Sequence, residues 1–287
     1  MEIKCWFDKD TNTFTYCVYD GVTLDAVVID SVWNFDQASG TLKKTSIECV
    51  KDFIETMCLK LHYILETHAH ADHVTGAQPL KKIFSAAKIG VGTRILEVQK
   101  VFKSILNLGE KFFVDGRQFD ELFVDGDEFK AGSLNLKVIA TPGHTPACVS
   151  YLIGDAVFVG DALFMPDYGT GRCDFPDGNA AALFNSIQKL YGLSDSTRVF
   201  TGHDYMPNGR PTSWESTIKT QKRDNIQLTG ETTKEQFVAL RQARDKTLTA
   251  PKLLFPSIQI NIAAGHLPQN EENGKSYLKL PITIVEL

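Results

Sequence analysis

The sequence predicts an α/β (α+β) fold in which two sheets pack face to face and helices cover their outer surfaces. Short runs rich in β-branched and aromatic residues alternate with segments whose apolar residues recur at helical spacing. The succession of strands and helices occurs in two similar halves of the chain. The 287 residues are 43% hydrophobic and 23% charged, an ordinary globular composition with ample material for a core.

The first half is predicted to begin with strands and to continue into a helix. The run 14–19 is rich in aromatic and β-branched residues, and an Asp-Gly turn separates it from a second strand at 26–30. Apolar residues at helical spacing predict a helix over 46–60. The apolar run 61–65 then predicts a buried strand.

The second half repeats this order, with a strand at 88–91 and a helix at 95–106. The further predicted elements are strands at 120–129 and 134–140, a hairpin of 149–153 and 157–159, a helix over 181–191 with Asn179 as its N-cap, and a strand at 198–201. These elements complete a first domain that is predicted to span residues 1–207.

The pattern changes after about residue 208. Helices are predicted at 214–225 and 234–246, and the tail that follows Pro251 is expected to be irregular. We interpret residues 208–287 as a C-terminal helical extension that packs on the same domain.

Composition argues against several classes of partner. The formal net charge is −5 and the basic residues are not clustered, so no nucleic-acid partner is expected. No apolar run approaches the roughly 20 residues that a membrane span needs. The N-terminus has neither the basic nor the apolar segment of a secretory signal, so we expect a cytoplasmic protein that binds no membrane. The six cysteines form no Cys-x-x-Cys pair and are expected to be reduced, with Cys173 in a loop that faces the site.

The densest chemical signal directly follows the buried strand at 61–65. Four metal-binding side chains lie within six positions, and they are His68, His70, Asp72 and His73. A strand end that opens into a short polar turn can direct several ligands at one point. Imidazole and carboxylate ligands together suit zinc, iron or manganese.

Three further candidates, His144, Asp161 and His203, each follow a predicted strand. Loops after strands at one edge of a sheet are common sites of chemistry. Four such loops, each with His or Asp, predict one shared metal site. His62 and His266 lack this context and are not expected to bind metal.

The spacing of these seven residues resembles the metallo-β-lactamase superfamily, whose pattern is His-x-His-x-Asp-His followed by later His, Asp and His. The resemblance covers residues 10–205 and implies an αββα sandwich with a metal site at one edge of the sheets. The stretches 160–176 and 202–205 resemble the persulfide dioxygenases, and 253–261 is similar to bacterial β-lactamase-like hydrolases. Glyoxalase II normally has an Arg-Phe-Phe-Glu type segment after the bridging aspartate and Glu in place of Asp204, and the sequence departs from both.

The resemblance implies a single Fe(II) held by His68, His144 and Asp161, with glutathione persulfide and O2 as substrates and sulfite and glutathione as products. Two histidines and one carboxylate leave three open positions on one face of an octahedron. The remaining candidates would then support the iron ligands without binding iron, and they are His70, Asp72, His73 and His203.

A binuclear zinc hydrolase of the glyoxalase II (hydroxyacylglutathione hydrolase) type would use the same residues differently. His70 would join the first metal and Asp161 would bridge to a second. The second metal would be held by Asp72, His73 and His203. The sequence retains the ligands of both schemes, so they do not choose between iron and one or two zinc ions. A metal-bearing module without turnover is a third reading, which the complete ligand set disfavours.

Other site residues are expected from the same resemblance. Arg172 and Asp174 are predicted to form a hydrogen-bonded pair in the pocket wall, and the Tyr205 hydroxyl is predicted to point at bound substrate or oxygen. The sequence does not identify the glutathione-binding residues. Basic residues of the extension are candidates, and they are Arg210, Arg241 and Arg244. The family suggests a homodimer.

Overall fold

The computed structural model describes residues 1–282 and 284 of the chain. The strands of the first half are β1 (Glu2–Asp8), β2 (Thr13–Tyr19), β3 (Asp25–Ile29), β4 (Val32–Asp36), β5 (Thr41–Lys43), β6 (Lys60–Leu65), β7 (Val74–Thr75), β8 (Lys88–Gly92) and β9 (Glu121–Phe123). Its helices are α1 (Thr45–Thr56), α2 (Ala77–Ile83) and α3 (Ile95–Ile105). A six-stranded sheet has the order β1-β2-β3-β6-β8-β9, and β5-β4-β7 form a small separate sheet.

The second half supplies another six-stranded sheet, in the order β10 to β15. Its strands are β10 (Glu128–Ala131), β11 (Leu134–Ala140), β12 (Val149–Ile153), β13 (Ala156–Phe158), β14 (Arg198–Phe200) and β15 (Glu215–Thr217). Its helices are α4 (Ala180–Tyr191), α5 (Ile218–Asp224), α6 (Lys234–Asp245) and α7 (Leu254–Asn261), with a 3-10 turn at Pro207–Gly209.

The two large sheets bury an apolar layer between them. Tyr16 on β2 contacts Phe158 and Phe200 of the second sheet edge to face, with ring centroids 5.2 and 5.6 Å away. Because side chains alternate along a strand, the neighbouring Cys17 points into the opposite layer, beneath the helices. Helices α1, α2, α3 and α7 cover the first sheet, and α4, α5 and α6 cover the second. This order of layers confirms the predicted αββα fold.

Strand register brings several strand ends to one edge of the sandwich. In the first sheet β3 and β6 are parallel and Ile29 is opposite Leu65, so the loops that follow them emerge side by side. In the second sheet β13 and β14 are parallel with Phe158 opposite Phe200. The two edges are joined directly, because the Val149 amide donates to the Thr67 carbonyl over 2.9 Å.

Local sequence signals predicted the start of helix α4 correctly. Asn179 is the N-cap of α4, as predicted, and its side chain accepts a hydrogen bond from the Ala182 amide. The predicted strand 120–129 is wrong as one element, since β9 and β10 belong to different sheets on either side of a turn that contains Gly126. Strands β4, β5 and β7 and helix α2 were not predicted.

The extension differs most from the prediction. The predicted helix 214–225 is wrong in its first turn, because 215–217 pair with β14 as an edge strand before α5 begins. The expected irregular tail is also wrong, since α7 lies within it. Most of α7 is buried on every side, so its residues show no amphipathic period that a sequence pattern would detect. In the described part of the chain, every helix is too short or too polar to cross a lipid bilayer.

Helix α6 holds a loop of the first domain through a buried ion pair. Arg241 is 1% exposed and its guanidinium donates to Asp245 at 2.7 and 2.9 Å. It also donates to the Thr170 carbonyl over 3.1 Å, while Asp245 accepts from the Cys173 amide over 3.0 Å. The expectation that Arg241 binds glutathione is therefore wrong, because its donors are buried and engaged by the protein.

Replacing Arg241 by Met should lower the free energy of unfolding by about 3–5 kcal/mol, since it leaves Asp245 buried without its partner. Denaturant unfolding followed by circular dichroism measures this change. The control is Gln242→Met at the adjacent exposed position, where a change within about 0.5 kcal/mol is expected. Equal stabilities for the two variants would show that the ion pair contributes little.

Candidate metal centre

The seven residues that the sequence singled out meet at the shared edge of the two sheets. Donor atoms of His68, His144 and Asp161 all lie within 4.8 Å of one another and form the first group. A second group within the same limit contains four residues, which are His70, Asp72, His73 and His203. Six of the seven are buried, and the Asp72 side chain is 25% exposed. A third group within the same limit is formed by Asp30, Glu66 and His70. The structure thus brings all seven candidate ligands together in one centre.

The imidazole of His68 is oriented through Thr67 and Asp30. The Thr67 hydroxyl donates to Asp30 Oδ2 over 2.9 Å, so its oxygen is free to accept from His68 Nδ1 at 3.0 Å. The proton of His68 therefore lies on Nδ1. Its Nε2 is buried and has no hydrogen-bond partner among the described residues, which leaves its lone pair for a cation.

The imidazole of His144 also carries its proton on Nδ1, but a different acceptor holds it there. Its Nδ1 lies 2.7 Å from the Arg172 carbonyl, which can only accept, so Nδ1 carries the proton. Its Nε2 is 3.6 Å from Asp161 Oδ2. The chain thus presents two bare Nε2 atoms and one carboxylate in the first group, a donor set that fits iron or zinc.

His70 is held by two buried acids that sequence reasoning missed. Its Nε2 is 3.0 Å from Asp30 Oδ1 and 3.3 Å from Glu66 Oε2, and its Nδ1 has no partner in the described chain. Asp30 and Glu66 follow the paired ends of β3 and β6, so register places them together. Only that register could have revealed them, because neither belongs to a motif. The His70 ring lies beside His68, with ring centroids 4.1 Å apart, and the His70 Nδ1 is the atom left for a cation.

Several other buried donors lack hydrogen bonds in the part of the chain that the structure describes. They are Asp72 Oδ2, His73 Nε2, Asp161 Oδ1 and His203 Nε2. Buried polar atoms are almost always paired, because an unpaired one loses its hydration without compensation. His203 Nε2 lies 3.2 Å from Asp161 Oδ1 and 3.3 Å from Asp72 Oδ2, so either a proton on His203 or a bound cation would compensate these atoms.

Charge within the centre sets the protonation of its members. Burial lowers the pKa of His68 and His73, and neighbouring imidazoles lower it further, so both stay neutral as metal ligands must. His203 behaves differently. Burial opposes its charge, but the carboxylates of Asp72 and Asp161 outweigh burial and raise its pKa to about 9. The same contacts lower the pKa of both carboxyl groups against the effect of burial.

Arg172 and Asp174 line the wall beside His144. The Arg172 guanidinium donates to both Asp174 oxygens at 2.6 Å and to the Thr249 carbonyl at 2.7 Å. The Phe175 ring meets the His144 ring edge to face, with centroids 5.1 Å apart. The pair therefore fixes the loop whose carbonyl orients His144, and its role toward substrate stays a prediction.

Tyr205 lies over the outer side of the centre. Its ring stacks on Tyr168 at 4.7 Å and lies 5.9 Å from the His203 ring. Desolvation of the hydroxyl, followed by the negative charges of Asp72 and Asp161, raises the pKa of Tyr205 above its ordinary value, although the residue as a whole is 38% exposed. The hydroxyl is thus a neutral donor, and it makes no hydrogen bond to any described residue.

The other candidates have structural partners. Arg210 donates to Asp204 and Asp167 and so secures the loop that carries Tyr205. Arg244 is exposed, with its guanidinium carbon 5.5 Å from the Tyr168 ring centroid. It remains accessible to a ligand.

Cys173 and the two isolated histidines lie outside the centre. Cys173 is 8% exposed, and burial raises the pKa of its thiol, so it does not supply a thiolate. His62 pairs with Asp25 over 2.7 Å, and neither His62 nor His266 joins a metal-capable group in the described residues.

A groove of about 640 Å³ opens beside Asp72. Its walls carry two lysines and four aspartates, which are Lys43, Lys252, Asp8, Asp10, Asp36 and Asp72, so the groove is more acidic than basic and the extension contributes to it. This volume lies within the range of small-molecule sites. The groove reaches Asp72, the most exposed of the candidate ligands.

Comparison with known proteins identifies the family of the chain. A family model described as the metallo-beta-lactamase superfamily matches residues 16–203. The beta-lactamase hydrolase-like protein of Xylella fastidiosa (strain Temecula1) is 46% identical over 286 residues, which are 99% of this chain and 65% of that protein. This chain therefore spans about 65% of the length of such relatives. Glyoxylase B2 of Dictyostelium discoideum is 44% identical over 99% of this chain and 98% of its own.

Persulfide dioxygenases are more distant in sequence and similar in structure. The mitochondrial persulfide dioxygenase ETHE1 of Bos taurus is 29% identical over 92% of this chain and 88% of its own. The crystal structure of ETHE1 from Myxococcus xanthus matches with a TM-score of 0.73 and 31% identity, over 93% of this chain and 100% of that chain.

Metal-free protein should become less stable as pH rises from 6.5 to 9. The folded protein keeps a proton on His203 that the unfolded chain loses above about pH 6.5, so this stabilisation is complete below pH 6.5 and is lost as pH passes about 9. The loss is on the order of 2–3 kcal/mol at most. Thermal unfolding of chelator-treated protein across this range measures it.

The control for this experiment is His203→Asn, whose thermal midpoint should fall less steeply over the same pH range. A thermal midpoint of the parent that stays constant or rises between pH 6.5 and 9 would contradict the proposed charge on His203.

Proposed function

Because the chain belongs to the metallo-β-lactamase superfamily, we propose that it is an iron-dependent persulfide dioxygenase. It would convert glutathione persulfide, O2 and water to glutathione and sulfite. The observation that carries the proposal is the three-membered group of His68, His144 and Asp161. Two histidines and a carboxylate are the donor set of non-haem iron oxygenases, and they leave room for two substrates.

His70 is compatible with either scheme. Its Nε2 contacts Asp30 and Glu66, while its Nδ1 stays available in a ring that lies 4.1 Å from the His68 ring. The likeness to the Myxococcus xanthus ETHE1 structure, over 93% of the chain, favours the dioxygenase.

His68, His144 and Asp161 would hold the iron, which when bound supplies the oxygen chemistry. The protein orients the reacting groups. The Arg172 carbonyl and Thr67 hydroxyl keep the imidazole protons on Nδ1 and so keep both Nε2 atoms bare. His68, His144 and Asp161 are each at most 8% exposed, so little bulk water reaches them.

Tyr205 would act on the substrate as a hydrogen-bond donor. Its hydroxyl is neutral and has no partner in the described chain, so a persulfide sulfur or a sulfite-like oxygen can accept from it. The carrier peptide would occupy the groove beside Asp72, where Lys43 and Lys252 can meet its carboxylates and the aspartates of the wall can meet its ammonium group.

A binuclear zinc hydrolase is the second candidate function. The second group brings four more donors together, and two metals with a shared hydroxide are suited to thioester hydrolysis. The names of the more similar relatives, hydrolase-like protein and glyoxylase B2, favour this alternative for those proteins.

Protein expressed without added zinc should contain about one iron per chain and consume O2 when given glutathione persulfide. His144→Ala should lose the iron and the O2 uptake, because the first group keeps only two ligands. His62→Ala is the matched control outside the centre and should retain both. Two zinc ions per chain, with thioester cleavage and no O2 uptake, would overturn the proposal in favour of the hydrolase.

Tyr205→Phe should lower kcat/KM for glutathione persulfide by about 10- to 100-fold, since a hydrogen bond to a charged group contributes roughly 1.5–3 kcal/mol. Iron content should not change. Tyr168→Phe keeps the stacked rings and removes a neighbouring hydroxyl, so it serves as the control. Unchanged kinetics in Tyr205→Phe would show that the ring packs but does not donate.

A further inference from the structure

The side chain of Asn261, at the C-terminal end of α7, spans the metal-binding loop. Its Nδ2 donates to the His70 and His73 carbonyls, both over 2.8 Å, and its Oδ1 accepts from the Thr75 amide over 2.9 Å. The residue is 4% exposed. One buried amide therefore uses both donors and its acceptor on a segment that lies more than 180 residues earlier in the sequence.

The loop depends on such contacts because it has little order of its own. Residues 66–73 form neither helix nor strand. Buried main-chain carbonyls need partners, and Asn261 supplies them at both ends of the segment 70–73. That segment holds three of the four residues of the second group, and only Ala69 separates it from His68 of the first.

Helix α7 is a rigid platform for this contact. Ile258 and Ile262 are buried in the apolar layer that covers the first sheet. The Ile262 carbonyl accepts from Gln99 of α3 over 2.8 Å, so the end of α7 is tied to a second helix. A movement of Asn261 would therefore disturb the core.

We propose that Asn261 is a positioning residue through which α7 sets the affinity of the centre for its metal. Fixing both carbonyls holds the backbone of 70–73, which joins His68 through Ala69, so the loop that carries His68 is ordered before the metal binds. The inference rests on the metal site of the proposed function but not on iron as its occupant.

Gln259 offers a matched control on the same helix. It is 5% exposed and its amide makes three comparable hydrogen bonds. It donates to the Phe255 and Lys279 carbonyls at 2.8 and 2.7 Å and accepts from the Lys279 amide at 2.7 Å. These bonds secure the tail and do not touch the metal-binding loop.

The test compares Asn261→Asp with Gln259→Glu, since each change replaces a donating NH2 by a carboxyl oxygen. Parent and variants are stripped of metal and titrated with Co(II), whose binding is followed by visible absorption and by competition with a chelator. Asn261→Asp should bind Co(II) about 10- to 100-fold more weakly, the usual effect of losing a group that orients metal ligands. Gln259→Glu should bind like the parent. Thermal unfolding of the metal-free proteins should show similar losses in both variants.

Equal Co(II) affinities in the two variants would overturn the inference and leave Asn261 as a purely structural contact. If Asn261→Asp does not fold, the uncharged pair Asn261→Ala and Gln259→Ala makes the same comparison. Weakened Co(II) binding in a protein that lacks persulfide oxidation would support this inference while the proposed function fails. A parent that binds no Co(II) would overturn both.

Discussion

The centre depends on where the imidazole protons are held. His68 and His144 each direct Nδ1 at an acceptor that the fold supplies, the Thr67 hydroxyl and the Arg172 carbonyl. The Nε2 atom of each ring is then unprotonated and buried. His70 is turned the other way, since its Nε2 faces Asp30 and Glu66. His70 therefore leaves its Nδ1, and not its Nε2, without a partner in the described chain, in a ring 4.1 Å from that of His68.

The C-terminal extension belongs to the scaffold of this centre. Helix α6 uses Arg241 and Asp245 to fix the main chain at Thr170 and Cys173, beside the carbonyl that orients His144. Helix α7 fixes the other side of the centre through Asn261. The two helices lie on opposite outer faces of the sandwich, yet both reach the same edge. Changes in the extension should therefore alter metal binding without altering any ligand.

The layered fold and the convergence of the seven candidate ligands could be predicted because local sequence patterns indicate both. His68, His70, Asp72 and His73 are adjacent, and the other three follow recognisable strands. The sequence did not predict Asp30 and Glu66, whose proximity arises from the parallel register of β3 and β6. It misjudged α7, because burial on all sides removes the periodic signal, and Arg241, whose burial only the packing of α6 reveals. Long-range packing, which no local pattern encodes, accounts for each of these differences.

The second group, which contains Asp72, His73 and His203, could hold a second metal. The location of the bound metal therefore distinguishes the two functions. Anomalous diffraction at the iron edge, from crystals of protein grown with iron, measures it directly. We expect one anomalous peak, within bonding distance of His68 Nε2, His144 Nε2 and Asp161. A pair of metal peaks, with one among Asp72, His73 and His203, would contradict it.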